Sequence, residues 1–79
     1  MSPLKKSIDD AGGVPVVALA CGKSPRAIYK WLTADSLPRT EYTGETRYAE
    51  RIAALAAAKG KPFDASWLLL EAKPNKTAA

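Results

Sequence analysis

A chain of 79 residues with 47% hydrophobic and 25% charged side chains has the composition of one folded domain, near the size at which a single core is only marginally stable. It has neither a disordered composition nor an apolar run long enough to cross a membrane, and MSPLKKSIDD lacks the apolar centre of a signal peptide, so a cytoplasmic location is expected. One cysteine and no histidine exclude an internal disulfide and leave no zinc cluster, while a net charge of +4 is compatible with a polyanionic partner.

Taken in chain order, the pattern predicts an all-α fold of five short helices. Ser2-Pro3 supplies a cap and a first-turn proline, and Leu4, Ile8 and Ala11 form an i, i+4, i+7 stripe, giving a first helix over 3–11. Gly12-Gly13 ends it. The second helix, in which Pro15 is tolerated in the first turn, carries Val17, Ala18 and Cys21 at helical spacing and stops at Gly22, a residue suited to positive φ. Ser24-Pro25 then repeats the cap device and opens a third helix over 25–34. Its apolar face is Ala27, Ile28, Trp31 and Leu32, and its opposite face is Arg26, Tyr29, Lys30 and Thr33.

A loop over 35–41 follows, in which Ser36 and Pro38 disfavour helix. Tyr48, Ile52 and Leu55, with Ala49, Ala53 and Ala56 beside them, predict a fourth helix over 45–58 that ends at Lys59-Gly60-Lys61-Pro62. Asp64 is placed as the cap of a fifth helix ending near Glu71 or Ala72, with Phe63 and Leu68 positioned as a hydrophobic staple. Residues 1–72 are thus read as one domain, and 73–79 as a disordered tail. A strand over Trp67 to Glu71 is the weaker alternative, because an Asp cap and four helices precede it.

The positive charge is not spread evenly. Between Gly22 and Thr40 stand Lys23, Arg26, Lys30 and Arg39 against Asp35 alone. Any one of these cations taken singly is a solvated surface charge. Gathered on and around one helix they become a candidate surface for nucleic acid. Cys21 falls where a small apolar core residue is wanted, so it reads as a buried thiol without chemistry. Trp31, spaced for burial beside Ile28, reads as core and not as a stacking platform, and Thr43 and Thr46 read as local caps.

Two short helices joined by a glycine turn, with the stretch SPRAIYKW forming the second, resemble the lambda-repressor-like helix-turn-helix proteins of phages and prophages, in particular the small Cro-like regulators and the YdaS-type proteins. The likeness runs over about residues 3–55 and rests on Gly12-Gly13, Ala18, Gly22 and 24–31, with LPRTEYTGETRYAERIAAL resembling the stretch that follows the reading helix in prophage members. Four residues depart from that pattern, at three of its features. Val14 and Pro15 stand where a phosphate-contacting glutamine is common, Lys23 where an aliphatic residue is usual, and Leu19 where a basic one is common.

The resemblance implies a DNA-binding transcriptional regulator whose third helix enters the major groove and occludes a promoter. It nominates Pro25, Arg26, Tyr29 and Lys30 for base reading, with Arg26 foremost because a guanidinium matches O6 and N7 of guanine. Ser24 and Thr33, with Lys23, Arg39, Thr40 and Arg47, are expected at the DNA backbone. Trp67, Leu68, Leu69 and Leu70 exceed what one face of a short helix buries, so they are candidates for a homodimer interface on a double-stranded operator, with closure of the chain's own core by this helix as the equal alternative. No cofactor, metal, membrane or small-molecule ligand is expected. An enzyme is disfavoured because no glycine-rich phosphate cradle is present and Asp9-Asp10 read as a solvated helix end. The competing class is an antitoxin-like or anti-regulatory helical module that binds a protein through Val16, Leu19 and the 67–70 cluster.

Overall fold

The computed structural model describes residues 2–73. The chain order is α1 (Pro3–Asp10), α2 (Val14–Cys21), α3 (Pro25–Ala34), α4 (Thr40–Thr43), α5 (Tyr48–Ala58) and α6 (Ala65–Glu71), with no strand among the described residues. The fold is all-helical, and Trp67 to Glu71 is helix. The expected tail lies, apart from Lys73, outside the described residues.

Two differences from the sequence expectation sit in one place. Among the described residues there are six helices instead of five, because the single turn α4 forms at the end of the expected loop and is closed by Gly44 at φ +86°. The helix expected from residue 45 begins at Tyr48. The cause is local: the amides of Glu45 and Thr46 both donate to the Thr40 carbonyl, at 3.0 and 3.2 Å, so these residues wrap the end of α4 and are not free to start α5.

The caps read from the sequence form where a hydroxyl was available. Ser2 Oγ accepts from the Lys5 amide at 3.1 Å, and Pro3 occupies the first turn of α1. The stripe of Leu4, Ile8 and Ala11 is wholly buried. Asp64 does precede α6, but its side chain accepts no capping bond, and Phe63 sets its ring edge-on to Trp67, 5.7 Å between centroids.

α5 is the central element. It packs against α1, α2 and α6, and its Ala49 and Ala56 are small enough to let neighbouring helices approach closely. Its Ile52 belongs to one buried cluster with Leu4 and Ile8 of α1, Val17 and Ala18 of α2, Ile28 and Trp31 of α3, and Leu68 of α6. Full burial of an aliphatic side chain contributes about 1.5–3 kcal/mol, so these few residues dominate the stability of so small a chain. The far end is closed by two long-range bonds: the Leu37 amide donates to the Ala72 carbonyl at 2.9 Å, and Tyr42 Oη donates to the Leu69 carbonyl at 2.6 Å. α6 is thereby tied to the segment that follows α3.

Candidate nucleic-acid interface

Three residues separate α2 from α3, and each has a distinct task. Gly22 adopts φ +67° and ψ +32°, the left-handed conformation that costs a side-chain-bearing residue most. The Lys23 amide then donates back to the Ala18 carbonyl at 2.9 Å, closing the end of α2. Ser24 is extended, its Oγ accepts from the Ala27 amide at 3.3 Å, and Pro25 follows as the first helical residue. This turn sets α3 across α2, and the two helices pack directly.

α3 is divided along its length by burial. Ile28 and Trp31 are buried, Ala27 and Leu32 half-buried, while Pro25, Arg26, Tyr29, Lys30 and Thr33 are exposed. Arg26, Tyr29, Lys30 and Thr33 follow one another at i, i+3, i+4 and i+7, which places them on one face of the helix. Tyr29 is 58% exposed, a large apolar ring left in solvent. Thr33 Oγ1 donates to the Tyr29 carbonyl at 2.9 Å, which fixes its rotamer while leaving its lone pairs outward.

The other nominated residues frame this face unequally. Lys30 and Arg39 line one open groove of about 420 Å³, together with Trp31 and Leu37. Arg39 is exposed at the start of α4, but Thr40 is half-buried and its hydroxyl is hydrogen-bonded to that of Thr46 at 3.0 Å, so it is engaged inside the protein. Arg47 is exposed and 3.8 Å from Glu50, a solvated pair of little energetic weight. Lys23 is exposed, with its ammonium 5.8 Å from the centroid of the Tyr48 ring.

Beneath the face lies a support that sequence reasoning missed. Glu41 of α4 is 8% exposed, and its carboxylate accepts from the Tyr48 amide at 2.6 Å, the Ala49 amide at 2.8 Å and Thr46 Oγ1 at 2.5 Å. A carboxylate at a helix N-terminus satisfies orphan amides and favours the positive end of the helix dipole. The signal was indirect: α5 is preceded by Arg47, which supplies no capping bond, so its first amides require an acceptor from elsewhere in the chain. Thr46, expected as a cap in its own right, instead serves this carboxylate. Tyr48 continues the support, since its ring lies 5.0 Å from that of Trp31 at an interplanar angle of 31°.

The remaining candidates separate by burial. Cys21 is half-buried, and desolvation, opposed by Arg51, pushes its thiol from 9.0 up to about 11, as fits a packing residue and not a nucleophile. Arg51 also donates to the Ala20 carbonyl at 3.2 Å, linking α5 to the end of α2. In α6, Leu68 is completely buried within its own chain and is therefore removed from the candidate dimer surface. The helix turns it inward because α1 and α5 both pack on that side. Leu69 is half-buried, whereas Trp67 and Leu70 are 40% and 69% exposed. On α2, Leu19 is 86% exposed.

The chain is similar to a known phage protein. Over 46 residues the chain is 61% identical to the "8.4 kDa cro protein" of Escherichia phage HK022, a match covering 58% of this chain and 60% of that protein. The likeness to Cro-like phage regulators read from the helix-turn-helix pattern thus has a named counterpart at high local identity. No family model matches the chain, and no solved structure matches it.

Proposed function

We propose that this chain, similar to a phage Cro protein over 46 of its residues, is a sequence-specific DNA-binding transcriptional regulator. In this reading α3 enters the major groove and the bound protein represses by occluding a promoter. The observation that carries the proposal is the exposed face of Arg26, Tyr29, Lys30 and Thr33 on a helix whose other side is anchored by Ile28 and Trp31. A rigid helix with cations and an aromatic ring on one side suits base edges flanked by phosphates. Arg26 offers paired donors to guanine, Tyr29 a surface for a thymine methyl, and Lys30 a donor to base or phosphate. Pro25 completes the base-reading set, and Ser24, Lys23, Thr33, Arg39, Thr40 and Arg47 are read as contacts to the DNA backbone, of which Thr40 is the half-buried one.

Trp67 and Leu70 support a second element of the reading, a homodimer that presents two reading helices to one palindromic operator. The test is selection from random duplex DNA at near-physiological salt, followed by anisotropy titration of the enriched site against a scrambled one. An enriched palindrome bound at least about a thousandfold more tightly is expected for a dimeric operator reader. A single enriched half-site would remove the dimer. Binding that vanishes with salt and enriches nothing would reject sequence-specific reading.

The exposure of Leu19, at 86%, favours one competing reading, a helical module that sequesters a protein partner. The two part at Arg26→Glu, which abolishes operator binding under the first and leaves function intact under the second.

A further inference from the structure

Tyr48 lies beneath the surface assigned to DNA, yet it meets two parts of that surface at once. Its ring stacks on Trp31, the buried anchor of α3, and also carries the ammonium of Lys23, which belongs to the turn before α3. Its own backbone is fixed, because the amides of Tyr48 and Ala49 are held by the two oxygens of the buried Glu41 carboxylate. Glu41 is held in turn by α4, which follows the α3 loop. A closed path therefore runs from the reading helix through its loop to Glu41, on to Tyr48, and back to the reading helix and its turn.

We propose that Tyr48 is a positioning residue for DNA binding: clamped by Glu41, its ring sets the seat of α3 through Trp31 and holds Lys23 in place to meet a backbone phosphate. The inference rests on the DNA-binding reading above and assigns within it a role to a residue that touches no DNA. An unrestrained lysine loses side-chain entropy when it pairs with a phosphate, and a lysine already laid on an aromatic face loses less. The same contact gives a lysine a partner at a position where an aliphatic residue is usual: its ammonium lies over the Tyr48 ring.

The decisive measurement is a double-mutant cycle on a fluorescein-labelled duplex of mixed sequence, titrated by anisotropy at several salt concentrations. In the wild-type background, Lys23→Ala is expected to weaken binding about three- to tenfold and to lower the salt slope by about one ion. In the Tyr48→Leu background the same change is expected to cost less than about twofold, and Tyr48→Phe, which keeps the ring, restores the full Lys23 effect. Equal losses from Lys23→Ala in the wild-type and Tyr48→Leu backgrounds, with both proteins folded by circular dichroism, would overturn the proposal and leave DNA binding standing. Should Tyr48→Leu fail to fold, the Lys23 ε-methylene resonance of the wild-type protein decides: an upfield ring-current displacement is expected, and a random-coil position overturns the contact. A wild-type chain that binds no duplex at all would overturn the DNA reading and this inference together.

Discussion

Arg26 and Arg39 carry the same charge but stand in different settings, one in the first turn of α3 and the other in the loop beyond its end. Arg26→Ala is expected to weaken binding to the selected operator by about 1–3 kcal/mol and to relax preference at one base pair, whereas Arg39→Ala weakens all sequences alike. Titration of each variant against operator and scrambled duplex checks this, and identical losses on both duplexes would remove Arg26 from base reading. Two neutral acids make a separate prediction. Burial raises the Cys21 thiol from 9.0 to about 11, and burial together with the nearby Glu41 raises the Tyr42 phenol from 10.0 to about 12. Each group therefore keeps its proton in the folded chain at pH values where the unfolded chain has lost it. The sign follows: stability is full below about pH 9 and declines as pH rises toward 11 and 12. Thermal melts from about pH 8 to about pH 10.5 should show a falling Tm, less steep in Cys21→Ala. The loss of the Tyr42 proton would also remove the bond its hydroxyl donates to Leu69.

At the scale of elements, a one-turn helix supports an eleven-residue one. Glu41→Ala leaves the first amides of α5 without their acceptor in a buried setting, and the expected cost is about 2–3 kcal/mol. Ser24→Ala removes an exposed cap bond on α3 and should cost nearer about 1 kcal/mol. Urea denaturation of both variants orders them, and a smaller shift for Glu41→Ala would contradict the assigned capping role. This contrast also explains what the sequence disclosed. Ser2 and Ser24 each stand immediately before a proline and a helical stripe, so both caps were legible at short range, as was the face of α3 from its helical period. The cap of α5 comes from seven and eight residues upstream, across a glycine turn, and no local pattern encodes it. Leu68 stayed undecided between core and interface for a related reason: a run of three leucines has no period from which the inward one can be chosen until α1 and α5 are in place.

For the molecule as a whole, the core depends on its last helix as much as on its first. Leu68→Ala should destabilise by about 2–5 kcal/mol, because its side chain is fully enclosed, whereas Leu70→Ala, at 69% exposure, should change stability by less than about 0.5 kcal/mol. Chemical denaturation of the two variants separates them, and comparable losses would contradict the inward setting of Leu68. The bonds from Leu37 to Ala72 and from Tyr42 to Leu69 join the segment just past the reading helix to the end of α6. The stretch that bears the helix-turn-helix pattern is therefore not a separable cassette. A graft of 14–34 into another scaffold would carry the exposed side chains of α3 but leave behind Glu41, Tyr48 and the α6 closure. On the DNA-binding reading proposed above, a library aimed at new specificity would vary the exposed face of α3 and keep Glu41, Tyr48 and the α6 contacts unchanged.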